Sequence, residues 1–213
     1  MGFFEFLQDR SDKLIQLTLQ HVQITLMAIA IACLIGIPLG IFLLGKEKLT
    51  VCVMAVINAC QAVPSLAFLG LLIPLTGIGL KTTIILVIIY SILPITKNTY
   101  TAIHNINPEM IETAKGIGLT KMQILMKIQI PLALPVIMAG IRIAAVWAVG
   151  TVTVAAYAGG GGLGSMIYSG ISMMNTNMIL AGAMLACILA MTVDWLIGLL
   201  EKAVTPGGIQ VKK

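Results

Sequence analysis

Long apolar runs separated by short polar breaks set the architecture of this chain before any motif is considered. Five runs can be drawn, from about Val22 to Leu44, Leu49 to Leu75, Thr83 to Ile95, Leu132 to Ala158 and Asn177 to Leu200. Most are continuous over roughly 20 residues, the helix length that crosses a hydrocarbon layer of about 30 Å, whereas barrel strands would alternate over about ten. The pattern predicts an all-α membrane protein with about five transmembrane helices. The first run stops at Lys46-Glu47-Lys48, and the second is interrupted at Pro64 and ends at Thr76-Gly77-Ile78-Gly79. The third is short and Ile-rich, bounded by Pro94 and Lys97. The fourth ends in Gly159 to Gly162, and the last stops at Glu201-Lys202.

Ahead of the first run, residues 3–20 predict a short amphipathic helix lying at the membrane interface, with Phe3, Phe4, Phe6 and Leu7 at headgroup level. Glu5, Asp9, Arg10, Asp12 and Lys13 break the basic-only character of a cleavable signal. The expected division is an interfacial segment at 1–16, one transmembrane domain at 17–200 and a cytoplasmic tail at 201–213.

Composition agrees with the pattern. The 213 residues are 59% hydrophobic and 10% charged, where a soluble domain carries about a quarter charged residues. The net charge of +5 has no basic patch with interleaved aromatics, so nucleic acid is excluded as a partner. The lysines sit at span ends, where the positive-inside rule accounts for them. With the N-terminus outside, nine Lys fall on the cytoplasmic side and Arg10, Lys13 and Lys81 on the other, with Arg142 inside a span. That balance predicts an N-out, C-in topology and places residues 97–130 in the cytoplasm. Cys33, Cys52, Cys60 and Cys187 lie in apolar runs without C-x-x-C spacing and read as small buried hydrophobes. His21 and His104 are too far apart to suggest a metal site. No Ser-His-Asp or paired-carboxylate arrangement points to catalysis.

The polar island has its own local logic. Asn107-Pro108-Glu109 reads as a helix start, with Asn as N-cap and Pro preset for the first helical position. Glu109 and Glu112 suit the positive end of the helix dipole. The helix is expected to reach about Lys115, where Gly116 or Gly118 supplies a left-handed end. Met110, Ile111, Ala114 and Ile117 form a greasy flank suited to docking in a groove, or to packing back on the membrane domain. A second helix is expected from Thr120 to about Ile130, opened by the capping-box pair Thr120 and Gln123. Pro131 and Pro135 would mark entry into the fourth span.

The spacing of this island resembles the cytoplasmic coupling loop of ABC-importer permeases, E-A-A-x-x-x-G-x9-I-x-L-P. Here Glu112-Thr113-Ala114, Gly118, Ile128 and Ile130-Pro131 fill the pattern, with Thr113 for Ala and Ile130 for Leu as conservative departures. The resemblance implies a type I transmembrane domain with a coupling helix between the third and fourth spans, in a multi-pass protein of a bacterial plasma membrane. Met110, Ile111, Glu112, Thr113, Ala114, Gly116 and Gly118 would then face separate ABC ATPase subunits. It also implies a second permease subunit, identical or a sister chain, an extracellular or lipid-anchored substrate-binding protein, and surrounding membrane lipid. ATP and Mg would be bound by the ATPase, this chain holding no cofactor and catalysing no reaction.

Further stretches resemble the osmoprotectant permeases, which import glycine betaine, carnitine, choline or proline. These are Gln61 to Gly70, Ile73 to Gly79, Leu93 to Ala102, Leu132 to Arg142, and Ala158 to Gly164. An importer of another small solute such as methionine is the near alternative. A channel or structural membrane protein is the distant one. Five Phe, four Tyr and two Trp are scattered along the chain, which suggests that an aromatic cage for a quaternary ammonium lies in the binding protein.

Several residues inside the spans carry two readings. Asn58, Gln61 and Ser65, near Pro64, either line a cavity or make interhelical hydrogen bonds. Trp147, Tyr157 and Tyr90 either line the pathway or pack. Arg142 sits near mid-membrane, where an unpaired arginine costs about 2.5 kcal/mol or more. It faces the pathway or a subunit interface, or forms a structural pair, with Asp194 or backbone carbonyls neutralising it. Gly159 to Gly162 lacks the Lys of a phosphate loop and, with Leu163-Gly164-Ser165, reads as an irregular external turn. Ser172 to Asn177 is a further external loop.

Overall fold

The computed structural model describes residues 2–204, and these residues are helical almost throughout. The elements are α1 (Phe3–Asp9), α2 (Ser11–Phe42), α3 (Glu47–Ala62), α4 (Ser65–Thr76), α5 (Leu80–His104), α6 (Pro108–Gly116), α7 (Lys121–Ile124), α8 (Ile130–Ala155), α9 (Leu163–Ser172) and α10 (Thr176–Val204). Four continuous helical stretches are long and apolar enough to cross a membrane. The fifth candidate is the pair α3 and α4, bent by 101° at its break.

The central helix is α5, packed between α2 and α8. Small residues let these helices approach. A Cβ on Gly40 would come within 2.9 Å of the Thr96 carbonyl oxygen, and one on Gly140 within 2.8 Å of the Pro94 carbonyl oxygen. The seam of α2, α5 and α8 carries Ala32, Ile95 and Ala144. Toward the N-terminal end of α2, Ile24, Ala28, Val87, Ala148 and Val152 form the next layer. Helices α9 and α10 lie against each other on the flank of α8.

Four sequence expectations are corrected here. The third span is not the short stretch from Thr83 to Ile95 but the 25-residue helix α5. Pro94 sits inside it, because a proline removes only one ladder bond and side chains can fill the gap. Pro131 likewise does not separate a cytoplasmic helix from a span. The chain runs helically from Lys121 to Ala158, passing through a π-helical turn at Leu125–Gln129 where Ile130 N–H bonds to Leu125 C=O. Widening the ladder there relieves the clash between a proline ring and the carbonyl four residues back.

The interfacial helix expected over residues 3–20 is instead broken at Arg10, and residues 11–20 run directly into the first span. Phe6 is buried with Leu14, Leu17, Leu163, Met166 and Ala181. Finally, Leu163-Gly164-Ser165 opens a helix, α9, and is not irregular turn. Of the tail expected at 201–213, residues 201–204 complete α10, and 205–213 lie outside the described residues.

Candidate functional site

The polar island forms the helix its caps foretell. Asn107 Oδ1 accepts the Glu109 N–H at 2.9 Å, and Pro108 occupies the first turn. At the other end Gly118 adopts φ +86°. Gly118 N–H bonds to Lys115 C=O at 2.9 Å and Leu119 N–H to Ala114 C=O at 3.1 Å, the paired bonds of a Schellman ending. Thr120 and Gln123 then exchange bonds of 2.8 and 3.3 Å as a capping box. Every end of this helix–Gly–helix unit is therefore set by local sequence.

Its surface is less settled than its ends. Only Ala114 in α6 is buried. Glu112, Thr113, Gly116 and Gly118 are exposed and Ile111 is half-buried, while Met110 is 45% and Ile117 73% exposed. Helix α6 packs on α7 and on little else within the described residues, so the bundle leaves this apolar flank uncovered.

A second feature lies in the membrane region. Gln61 of α3, Pro94, Lys97 and Asn98 of α5, and Ile143 and Trp147 of α8 border a cavity of about 330 Å³. The structure thus brings together Gln61 and Trp147, two of the residues singled out as pathway candidates. Asn58 is exposed on α3, while Pro64 and Ser65 form the break itself, outside that lining. Arg142 turns to α10 and not to the cavity: Nε and Nη2 bond to the two carboxylate oxygens of Asp194 at 2.5 Å each. Tyr90 is buried, and its hydroxyl donates to the Val63 carbonyl. Tyr157 is exposed and lies against Tyr168, with ring centroids 4.6 Å apart.

The glycine-rich turn is knit to the first span by residues to which the sequence assigned no role. Gln20 Oε1 accepts the Gly162 N–H at 2.9 Å. His21 Nδ1 accepts the Leu163 N–H at 3.2 Å, so Nε2 carries the proton and donates to Val149 C=O at 3.1 Å. A polar Gln-His pair at the head of an apolar run, facing a glycine cluster far along the chain, was the available signal. Lys97 and Asn98 were likewise unassigned to the cavity. Their signal was proximity to Pro94 on one helical face.

The described residues thus combine a helical bundle, a broken α3–α4 span, an exposed capped helix and a cavity between α3, α5 and α8. The model of a family described as "Binding-protein-dependent transport system inner membrane component" matches residues 24–206. The chain belongs to that family.

This permease is 39% identical over 208 residues to the glycine betaine/carnitine/choline transport system permease protein OpuCB of Bacillus subtilis (strain 168), covering 98% of this chain and 96% of the relative. It is 38% identical over 206 residues to the choline transport system permease protein OpuBB of the same organism, covering 97% and 95%. Among solved structures, the permease resembles a chain of the MetNI methionine ABC transporter in an inward-facing conformation. The TM-score is 0.83 at 25% identity, with 91% of this chain and 96% of that chain covered. The fold is that of type I ABC permeases, in a multi-pass inner-membrane protein.

Proposed function

We propose that this permease forms the membrane passage of an ATP-driven importer for osmoprotectants, quaternary amines such as glycine betaine, carnitine or choline, or proline. The observation that carries the reading is similarity of 38–39% along nearly the whole chain to permeases with choline, or glycine betaine, carnitine and choline, in their names. The methionine importer is similar in fold at 25% identity, which makes methionine the second solute class to test.

The chain itself performs no hydrolysis. Separate ABC ATPase subunits bind ATP and Mg, and a substrate-binding protein delivers solute from outside. The N-terminus lies outside and the C-terminus inside, so α6 faces the ATPase. Met110 and Ile111 supply apolar contact there, and Glu112, Thr113, Ala114, Gly116 and Gly118 complete the coupling element. Closure of two ATPases moves α6 and, through the π turn, α8, which lines the cavity; this is alternating access by rigid-body motion. Gln61 and Trp147 border the passage. Asn58, Pro64, Ser65 and Arg142 act at its bend or at the contact with a second permease, identical or a sister chain.

The test is uptake by the assembled importer in proteoliposomes with labelled glycine betaine, choline, carnitine, proline and methionine, and ATP inside. ATP-dependent uptake of an osmoprotectant and not of methionine is expected. Uptake of methionine alone would replace the solute assignment. Purification without an ATPase subunit, together with ATP-independent flux, would favour a channel instead.

A further inference from the structure

Two proline-linked interruptions leave backbone carbonyls without their helical donors, and each is served by a side chain from the opposite helix. Pro94 has no N–H to offer the Tyr90 carbonyl four residues earlier in α5. The break before Pro64 puts Val63 in extended geometry, φ −72° and ψ 128°, so its carbonyl belongs to neither α3 nor α4. Gln61 Nε2 donates to Tyr90 C=O at 2.7 Å, and the Tyr90 hydroxyl donates to Val63 C=O. Residues two apart on the broken span and one residue of α5 thereby exchange both bonds.

The α4 arm is also held by Leu69 and Leu72 packed on Leu86, Ala155 and Ala158 and by a hydrogen bond between the Thr76 and Thr82 hydroxyls. Helix α3 buries only Thr50, and α4 only Leu69 and Leu72. Tyr90 touches both arms, since its ring also packs edge-on against Phe68 of α4 with centroids 6.0 Å apart. Gln61 lies on the cavity wall beside Pro94 and opposite Trp147. Gln61 therefore both holds the bend and borders the space.

We propose that Gln61 and Tyr90 form a reciprocal clasp that positions the bend of the broken span against α5, and that its making and breaking sets the opening of the cavity during transport. This rests on the permease reading but not on which solute is carried. A solute with a carboxylate or hydroxyl acceptor in the cavity competes with Tyr90 C=O for the Gln61 amide N–H, which links occupancy to release of the bend. Both are positioning residues, because they act through the angle of α3 and α4.

The test uses the complete importer in proteoliposomes with labelled glycine betaine and choline. Tyr90→Phe and Gln61→Leu should each lower maximal uptake about fivefold, the worth of one hydrogen bond, with more ATP hydrolysed per solute and, in Tyr90→Phe, the half-saturating solute concentration unchanged. Pro94→Ala returns an N–H to Tyr90 C=O, so Gln61→Leu in that background should change uptake less than about twofold. Additive losses for Pro94→Ala and Gln61→Leu, or wild-type uptake and coupling in Tyr90→Phe, overturn the clasp. A solute-independent arm places spin labels at Val56→Cys and Leu71→Cys in a cysteine-free background of the same assembly. Tyr90→Phe should broaden their distance distribution, and an unchanged distribution overturns the clasp. If the wild type takes up neither probe, the glycine betaine and choline assignment fails while the label distances still decide the clasp.

Discussion

Arg142 and Asp194 face each other as a two-pronged ion pair that ties the middle of α8 to α10, Nε to Oδ1 and Nη2 to Oδ2 at 2.5 Å each. Glu201 adds a third charge 3.9 Å from Nη1. Gly198 opposes the guanidinium, where a Cβ would sit 3.4 Å from Cζ, so the α10 backbone can lie close beside the arginine.

An ion pair inside a membrane region is harmful when half of it is lost, because the survivor keeps its charge without a partner. Arg142→Met and Asp194→Asn alone should each reduce folded permease in the membrane and lower its melting temperature in detergent. The double change Arg142→Met/Asp194→Leu should recover much of the loss. Singles that melt like the wild type would show that the pair has no structural weight.

Gly118 holds a left-handed conformation that closes the Schellman ending of α6, and a β-branched residue there faces a penalty of about 1–2 kcal/mol. Gly118→Val should stop uptake while the protein still reaches the membrane. Glu112→Lys leaves the backbone untouched and reverses charge on the exposed face, and it should likewise block transport. Uptake assays paired with pull-down of the ATPase measure both. Normal transport in the two variants removes α6 from the coupling role.

Glycines along the chain should divide sharply by what surrounds them. A Cβ on Gly164 would collide with the Thr153 carbonyl oxygen and lie 2.8 Å from Ala156 Cβ, whereas one on Gly70 meets nothing within 4 Å. Overpacking of that kind costs about 1–3 kcal/mol, so Gly164→Ala should melt several degrees lower and Gly70→Ala should not. Thermal melts of the two purified variants side by side provide the check; equal melting temperatures would refute the packing seen around α9.

His21 is fully buried and uses both ring nitrogens. Replacing it with leucine orphans the Val149 carbonyl and the Leu163 N–H at once, and each buried group left unpaired costs about 1–3 kcal/mol. His21→Leu should therefore loosen the glycine-rich turn. Faster amide exchange at Gly162 and Leu163 than in the wild type is the expected result, and unchanged exchange would mean that the turn is held by its glycines alone.

Local chemistry explains which features could be read in advance. The caps of α6 and the left-handed Gly118 involve residues within five positions of each other, so their geometry follows from short-range sterics and hydrogen bonding. The interruption at Pro64 was equally visible as a proline in the middle of an apolar run. The behaviour of Pro94 and Pro131 was not visible. Whether a proline ends a helix or is absorbed depends on donors and space supplied by other elements, here Gln61 and Gly140 at Pro94 and the π turn before Pro131.

Hydrophobic periodicity and composition alone determined that this is a multi-span helical membrane protein with one capped polar helix between spans, because the bilayer demands internally bonded helices of a minimum length. Tertiary structure alone decided that Asp194 and not backbone carbonyls answers Arg142, that Gln20 and His21 hold a turn some 140 residues away, and that Gln61 and Tyr90 serve the orphaned carbonyls of Tyr90 and Val63. Those pairings join residues whose separation in sequence carries no geometric information. Only the packing of α2, α5, α8 and α10 brings donor and acceptor within reach.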